Sequence, residues 1–357
     1  MSSLLERMKK AGSVKGSQVL SESTFFNEKE QSPTDVPIIN AALSGKLDGG
    51  LTSGLTFLAG PSRHFKSLLG LVMVKAYMRD HKDAVCLFYD SEFGITPEYV
   101  QSNGIDMDRV IHIPVEHIEQ LKFDISKRLE EINRGDKVII FIDSVGNLAS
   151  KKEVDDAMDE KVVADMSRAK VMKSLWRIVT PHLTMKDIPC IAINHTYQTM
   201  EMYSKSIMSG GTGGMYSANQ VFIIGKAQEK DGTDIVGYNF TINAEKSRFV
   251  KEKSKFTFTV LYEGGINKWS GLLDLALESG AVMKPSNGWY CRVDEDGVVE
   301  DKKYRAADTS NKEFWKPILT SKKFHEFVKS KYSISASSMI SDEELDSVIS
   351  EMGEGDD

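Results

Sequence analysis

The sequence predicts an α/β fold: a mostly parallel sheet with helices on both faces. Three observations carry this. Apolar runs of five or six residues alternate with amphipathic stretches of helical period. The runs are continuously apolar, as strands covered on both faces must be. Polar and charged residues gather just past the ends of four strands, where sheets of this class place their ligands.

The elements follow in order. Residues 1–31 hold a short helix-prone piece and a polar stretch. Within it Phe25 and Phe26 form an apolar pair with no local partner. The pair either packs on the chain's own core or belongs to an arm that docks on a neighbouring subunit. Residues 55–59 read as the first strand and 67–79 as the helix after it. Residues 84–89 form the second strand, ending at Asp90, Ser91 and Glu92. Residues 117–134 are helical, with Leu121, Ile125, Leu129 and Ile132 on one face. The third strand, 137–142, ends at Asp143 and Ser144; a helix over 161–180 follows. The fourth strand, 189–193, ends at Asn194 and His195. Residues 220–225, 238–244 and 255–262 add three more strands. After Gly271 a small α/β region runs to about Tyr332, followed by an acidic tail.

Composition narrows the class. A chain of 357 residues suits two domains, or one α/β domain with appendages. Apolar residues at 41% and charged residues at 27% are ordinary for a soluble globular protein. No apolar run approaches 18 residues, which excludes a transmembrane helix, and residues 1–10 lack the apolar core of a signal peptide. Cys86, Cys190 and Cys291 are far apart, so neither a disulfide framework nor a zinc site is indicated. A reducing, cytoplasmic setting is expected. The net charge of −7 argues on its face against a nucleic-acid partner. However, residues 342–357 carry eight carboxylates and no Lys or Arg; without them the chain stands at +1. Overall acidity therefore does not exclude DNA or RNA.

The strongest local signal is Gly60, Pro61, Ser62, Arg63, His64, Phe65, Lys66 and Ser67, placed between a strand and a helix. A Walker A loop needs that context: backbone N–H groups and a helix N-terminus cradle phosphates, Lys66 reaches the β/γ-phosphates and Ser67 holds Mg²⁺. Phe65 stands where the pattern has a glycine, a residue used for its backbone freedom. Asp143 closes an apolar strand as a Walker B carboxylate does and would complete the Mg²⁺ shell; otherwise it caps a turn. Glu92 is placed to orient and deprotonate an attacking water, or else is a helix-entry carboxylate. His195 is placed to hydrogen-bond a γ-phosphate.

Two stretches read as functional loops. Residues 197–214 are rich in Gly, Ser and Met and show no clean period. There Tyr197, Tyr203 and Lys205 offer stacking and phosphate contact to a single strand, or the stretch is a lid over the nucleotide. Residues 147–160 form the second, with Arg168 on the next helix. Lys246, Arg248, Lys251, Lys253 and Lys255 make a basic run. Strand alternation would place Lys251, Lys253 and Lys255 on one face, either solvated or facing phosphates of nucleic acid or a neighbour's ATP.

These residues resemble the RecA-type recombinases, and most closely the UvsX recombinases of tailed bacteriophages. The matching stretches are 42–45 with Gly49 and Gly50, 58–62, 65–67, 88–95, 141–144, 147–152, 192–195, 210–213 and 245–248. Phe65 in the Walker A position looks like a trait of the phage branch. The resemblance implies a RecA-like P-loop ATPase core that exchanges DNA strands at the expense of ATP. It implies a helical filament on single-stranded DNA, with ATP and Mg²⁺ between adjacent subunits. Expected partners are homologous duplex DNA, a single-strand-binding protein and a loading mediator. Carried over by residue, Lys66 and Ser67 bind phosphate and Mg²⁺, Glu92 is the base and Asp143 the Walker B acid. Tyr99 stacks on adenine. His195 stands where bacterial RecA has the glutamine that senses the γ-phosphate. Lys246 and Arg248 match a pair reaching the neighbour's γ-phosphate. Arg168, Tyr197, Tyr203, Lys205, Gly210 and Gly211 fall in or beside the DNA-binding loops. The implied division is a subunit-docking segment (1–30), the ATPase core (31–271), a C-terminal region (272–341) and the acidic tail (342–357).

Two other readings share the motifs. A RecA-core hexameric helicase motor would unwind forked duplex without homology. A nucleotide-binding filament or mediator protein would bind ATP without turning it over.

Overall fold

The computed structural model describes residues 4–14, 17–23, 29–159, 167–199 and 206–334. After α1 (Leu4–Ala11) and α2 (Pro37–Ser44), strand and helix alternate. These are β1 (Gly54–Ala59), α3 (Lys66–Asp80), β2 (Val85–Asp90), α4 (Pro97–Ser102), β3 (Val110–Pro114), α5 (Ile118–Glu131), β4 (Val138–Asp143), α6 (Lys151–Met158), α7 (Ser167–Met185) and β5 (Pro189–Asn194). A small hairpin, β6 (Thr196–Gln198) and β7 (Ser206–Met208), leads to α8 (Thr212–Ser217). Four strands then meander: β8 (Gln220–Asp231), β9 (Asp234–Ser247), β10 (Lys255–Leu261) and β11 (Gly265–Asn267). The C-terminal region adds α9 (Leu272–Glu278), β12 (Val282–Ser286), β13 (Trp289–Arg292), β14 (Tyr304–Arg305), α10 (Lys312–Thr320) and α11 (Lys322–Tyr332).

Nine strands form one sheet in the order β11-β10-β9-β8-β1-β5-β4-β2-β3. The six strands from β8 to β3 run parallel, and β9, β10 and β11 extend the sheet antiparallel. The continuous apolar runs have a direct cause. Side chains alternate between faces, and both faces are covered. Leu55, Phe57, Leu87, Tyr89, Ile140, Ile142 and Cys190 enter one buried cluster with the apolar stripes of α5 and α7. Leu58, Cys86, Phe88, Ile139, Phe141, Ile191 and Ile193 enter a second, with α2, α3 and the C-terminal helices. Trp176 of α7 is fully buried with its ring edge-on to Phe57 at 5.1 Å. The small antiparallel sheet of β12, β13 and β14 shares the second cluster, and Phe256 of β10 meets Tyr332 of α11 at 4.4 Å.

Four features differ from the sequence reading. β3 joins β2 as the parallel edge of the sheet; its short run, three of its five residues exposed, carries too little apolar signal to stand out. Within the stretch over 197–214, the described residues include β6, β7 and the start of α8 rather than plain loop alone. The stretch over 147–160 contains α6, whose N-cap is the Ser150 hydroxyl accepting from the Glu153 amide. Lys251, Lys253 and Lys255 do not share a strand face. β9 ends at Ser247, Lys253 turns with φ 64°, and β10 begins only at Lys255. Phe25, Phe26, Tyr203, Lys205 and the acidic tail lie outside the described residues. Among those described, no helix is long and apolar enough to cross a membrane.

Candidate functional site

β1 delivers the chain to Gly60, and the loop over 60–65 returns it into α3 at Lys66. The first turn of a helix has amide groups without helical partners, so such a loop suits an anion. Ser62, Arg63, His64, Phe65, Lys66, Ser67 and Leu68 line one cavity of about 380 Å³, together with Glu92, Gly94, Tyr99, Ile193, His195 and Lys226. Gly60 passes so close to β8 that a Cβ there would sit 3.0 Å from the Ile224 carbonyl oxygen. Phe65 adopts the left-handed conformation (φ 55°, ψ 21°), so the backbone still requires there what glycine gives freely. Its ring packs on Phe240 at 4.7 Å, a contact glycine does not make.

Lys66 is buried, and its ammonium donates to the Pro61 carbonyl at 2.7 Å. Burial pulls its pKa down, against the pull of Glu92 and Asp143. Asp143 stands beside Asp90 in the register of β4 and β2. Burial pushes the Asp143 carboxyl up to about 6; a hydrogen bond from Ser67 opposes this, and the neighbouring Glu92 and Asp90 charges reinforce it. Its Oδ1 is buried without a hydrogen-bond partner among the described residues. A buried acceptor left open beside a serine hydroxyl, at the mouth of a phosphate-type loop, fits the donor set for Mg²⁺.

Glu92 is held by three neighbours on the same oxygen. Ser144 Oγ donates to Oε1 at 2.5 Å, Asn147 Nδ2 at 3.0 Å, and His195 Nε2 lies at 3.0 Å. Against an ionised carboxylate the imidazole nitrogen is the donor. The bonds from His195, the larger cause, and from Ser144 hold the Glu92 carboxyl below its usual range despite partial burial. Asp90 sets the turn that carries Glu92. Its Oδ1 accepts from the amides of Glu92 (3.1 Å) and Phe93 (2.8 Å), and its Oδ2 lies 3.0 Å from His112 Nε2. Gly146 lets the next loop pass: a Cβ there would meet the His195 ring at 2.5 Å.

A family model for the RecA N-terminal domain matches residues 26–267, most of the chain.

The chain belongs to the RecA family.

A second model, for the C-terminal domain of the bacteriophage T4 recombination and repair protein, matches residues 269–328. Among curated relatives of this RecA-family chain is the recombination and repair protein of Enterobacteria phage T4. It is 56% identical over 98% of this chain and 91% of its own length. Bacterial RecA of Tropheryma whipplei is 28% identical over 76% of this chain and 61% of its own length; that of Streptomyces ambofaciens is 28% identical over 74% and 71%.

Ser62 to Ser67, Glu92, Tyr99 and His195 thus meet in one cavity, and Asp143 takes a hydrogen bond from Ser67. Tyr99 lies on α4, whose first turn is capped by Thr96 Oγ1 accepting from the Tyr99 amide. The remaining residues singled out in the sequence lie elsewhere. Lys246 is not among the residues lining its own chain's cavity; its ammonium donates to the carbonyls of Met215 (2.8 Å) and Tyr216 (3.1 Å). Arg248 is exposed just past β9. Arg168, read as facing DNA, donates from its guanidinium to the carbonyls of Leu148 (2.8 Å), Gly146 (2.7 Å) and Val145 (3.3 Å). Tyr197 is exposed on β6, and Gly210 and Gly211 turn into α8 with φ 87° and 77°. Sequence reasoning gave no individual role to Asp90, Ser144, Asn147 or Lys226. The first two were visible as polar strand ends and Asn147 as the start of a loop stretch; Lys226 gave no signal of its own.

Proposed function

We propose that this RecA-family chain is an ATP-dependent DNA recombinase. It assembles as a helical filament on single-stranded DNA and pairs it with homologous duplex, in recombination, repair and recombination-dependent replication within the host cytoplasm. The supporting observation is the convergence of Lys66, Ser67 and Glu92 on one cavity, with Asp143 hydrogen-bonded to Ser67 and with Asn147 and His195 linking Glu92 to the two loop regions. The 56% identity to the T4 recombination and repair protein supports the same reading.

Phosphoryl transfer asks mainly for positioning and charge neutralisation. The loop amides and Lys66 hold the phosphates; Lys66 leaves the Pro61 carbonyl to do so. Ser67 and Asp143 would hold Mg²⁺, which would neutralise phosphate charge when bound. Glu92 accepts a proton from the attacking water, and Tyr99 faces the base. Lys246 and Arg248 serve a neighbouring subunit's γ-phosphate, so turnover depends on assembly. Tyr197, Tyr203, Lys205, Gly210 and Gly211 belong to the DNA-contacting loop, while Arg168 braces the other. A single-strand-binding protein and a loading mediator are the expected partners.

The test is ATP turnover with and without single-stranded DNA. The parent should be stimulated by DNA, and Lys66→Ala should lose turnover altogether. Lys246→Ala and Arg248→Ala should lose the DNA-dependent rate while the monomer still binds ATP. Unchanged stimulated turnover in both would remove the trans assignment, and a parent without turnover would remove the enzyme.

A further inference from the structure

Oε1 of Glu92 receives three donors, where a carboxylate oxygen has room for about two well-directed ones. The three are not equivalent. Ser144 is fully buried and locked to the second strand: its amide donates to Ser91 Oγ at 3.1 Å and its carbonyl accepts from that hydroxyl at 2.7 Å. His195 opens the β6–β7 hairpin. Asn147 is exposed, and it is placed between two anchors. On one side the Arg168 guanidinium clamps the carbonyls of Val145, Gly146 and Leu148. On the other, Ala149 bridges to His117 and Ser150 caps α6, a helix with no buried residue. A shift of α6 against the Arg168 clamp therefore has one exposed polar side chain to move, and that side chain ends on Glu92.

We propose that Asn147 is a positioning residue that restrains Glu92, keeping ATP turnover low until the α6 stretch is engaged by DNA. This rests on the proposed function, in which Glu92 is the base and the α6 stretch contacts DNA. Donors on a carboxylate stabilise its charged form and make it a weaker proton acceptor. They also hold it against the strand ends. Withdrawing Asn147 leaves Ser144 and His195 as a normal pair on Oε1 and removes one donor that favours the charged form, which makes the carboxylate a stronger proton acceptor. Coupling of this kind needs an element with two positions whose balance the ligand shifts; α6 on its exposed face is that element.

The experiment compares the parent, Asn147→Ala and Asn147→Gln at saturating ATP, with and without single-stranded DNA. A hydrogen bond to a charged group at an exposed site predicts a DNA-independent rate about fivefold higher in Asn147→Ala. The DNA-stimulated rate should stay within about twofold, so the stimulation ratio falls. Asn147→Gln, which keeps the amide donor on a longer arm, should lie nearer the parent. An unchanged DNA-independent rate in Asn147→Ala overturns the proposal. So does a fall of both rates together, which would give Asn147 a merely structural part. A rise that persists in the Glu92→Gln background also overturns it, because the effect would not run through Glu92. If the parent shows no stimulation, the DNA-loop reading fails, and the DNA-independent rate still decides whether Asn147 restrains Glu92.

Discussion

At the scale of single residues, Phe65 and Asp143 each hold an unfavourable state. Phe65 occupies a left-handed backbone position that costs a side chain on the order of 1 kcal/mol. Its ring on Phe240 offsets that cost by burying apolar surface, tying the phosphate loop to the aromatic layer of β9. From the sequence, Phe65 is only a departure from a glycine pattern; its compensating partner is 175 positions away and visible only after folding. Asp143 holds its proton to about pH 6 because burial disfavours the carboxylate. Its folded pKa is raised, so its stabilising contribution is fully present below about pH 4 and is lost as pH rises through about 6. Asp143→Asn cannot ionise. Measured by urea unfolding without metal, the variant should gain on the parent across that window, by up to about 3 kcal/mol. Mg²⁺ with nucleotide should shrink the gap by favouring the ionised parent. A pH-independent difference would count against the buried-acid account.

At the scale of elements, the geometry of the candidate site depends on how α3 lies on the sheet. α3 carries Lys66 and Ser67, and β4 carries Asp143. Gly70 lets them approach: a Cβ there would come 2.4 Å from the Phe141 ring. A helical glycine replaced by alanine is ordinarily stabilised by about 0.5–1 kcal/mol. Here Gly70→Ala should instead destabilise by about 1–3 kcal/mol through overpacking, and should weaken nucleotide binding with it. A denaturation midpoint at or above the parent's would show that the contact relaxes cheaply. α3 was legible from its period, as were α5 and the buried strands. The β6–β7 hairpin and α6 were not. Three-residue strands and a short helix with no buried face leave no apolar periodicity, since tertiary pairing and capping define them.

At the scale of the whole molecule, charge is divided along the chain. The eight carboxylates of residues 342–357 account for the negative sign of the net charge. The hypothesis is that this tail competes with DNA phosphates for the protein's cations. Removing residues 342–357 should then raise affinity for duplex DNA, most strongly at low salt, and change the salt dependence of binding. An unaltered slope would reduce the tail to a solubilising end. By itself, the sequence determined the layered α/β fold, the loop between β1 and α3, and the acidic strand ends of β2 and β4. Each of these is written in a local pattern: continuous apolar runs, a loop between strand and helix, a carboxylate after an apolar run. Only the tertiary structure decided what those residues do to one another. It placed Ser144, Asn147 and His195 on one oxygen of Glu92, directed the Arg168 guanidinium at the carbonyls of Val145, Gly146 and Leu148, and kept Lys246 out of its own chain's cavity. The physical reason is that hydrogen-bond partnership is a matter of a few ångströms across strands far apart in sequence, and no local period records it.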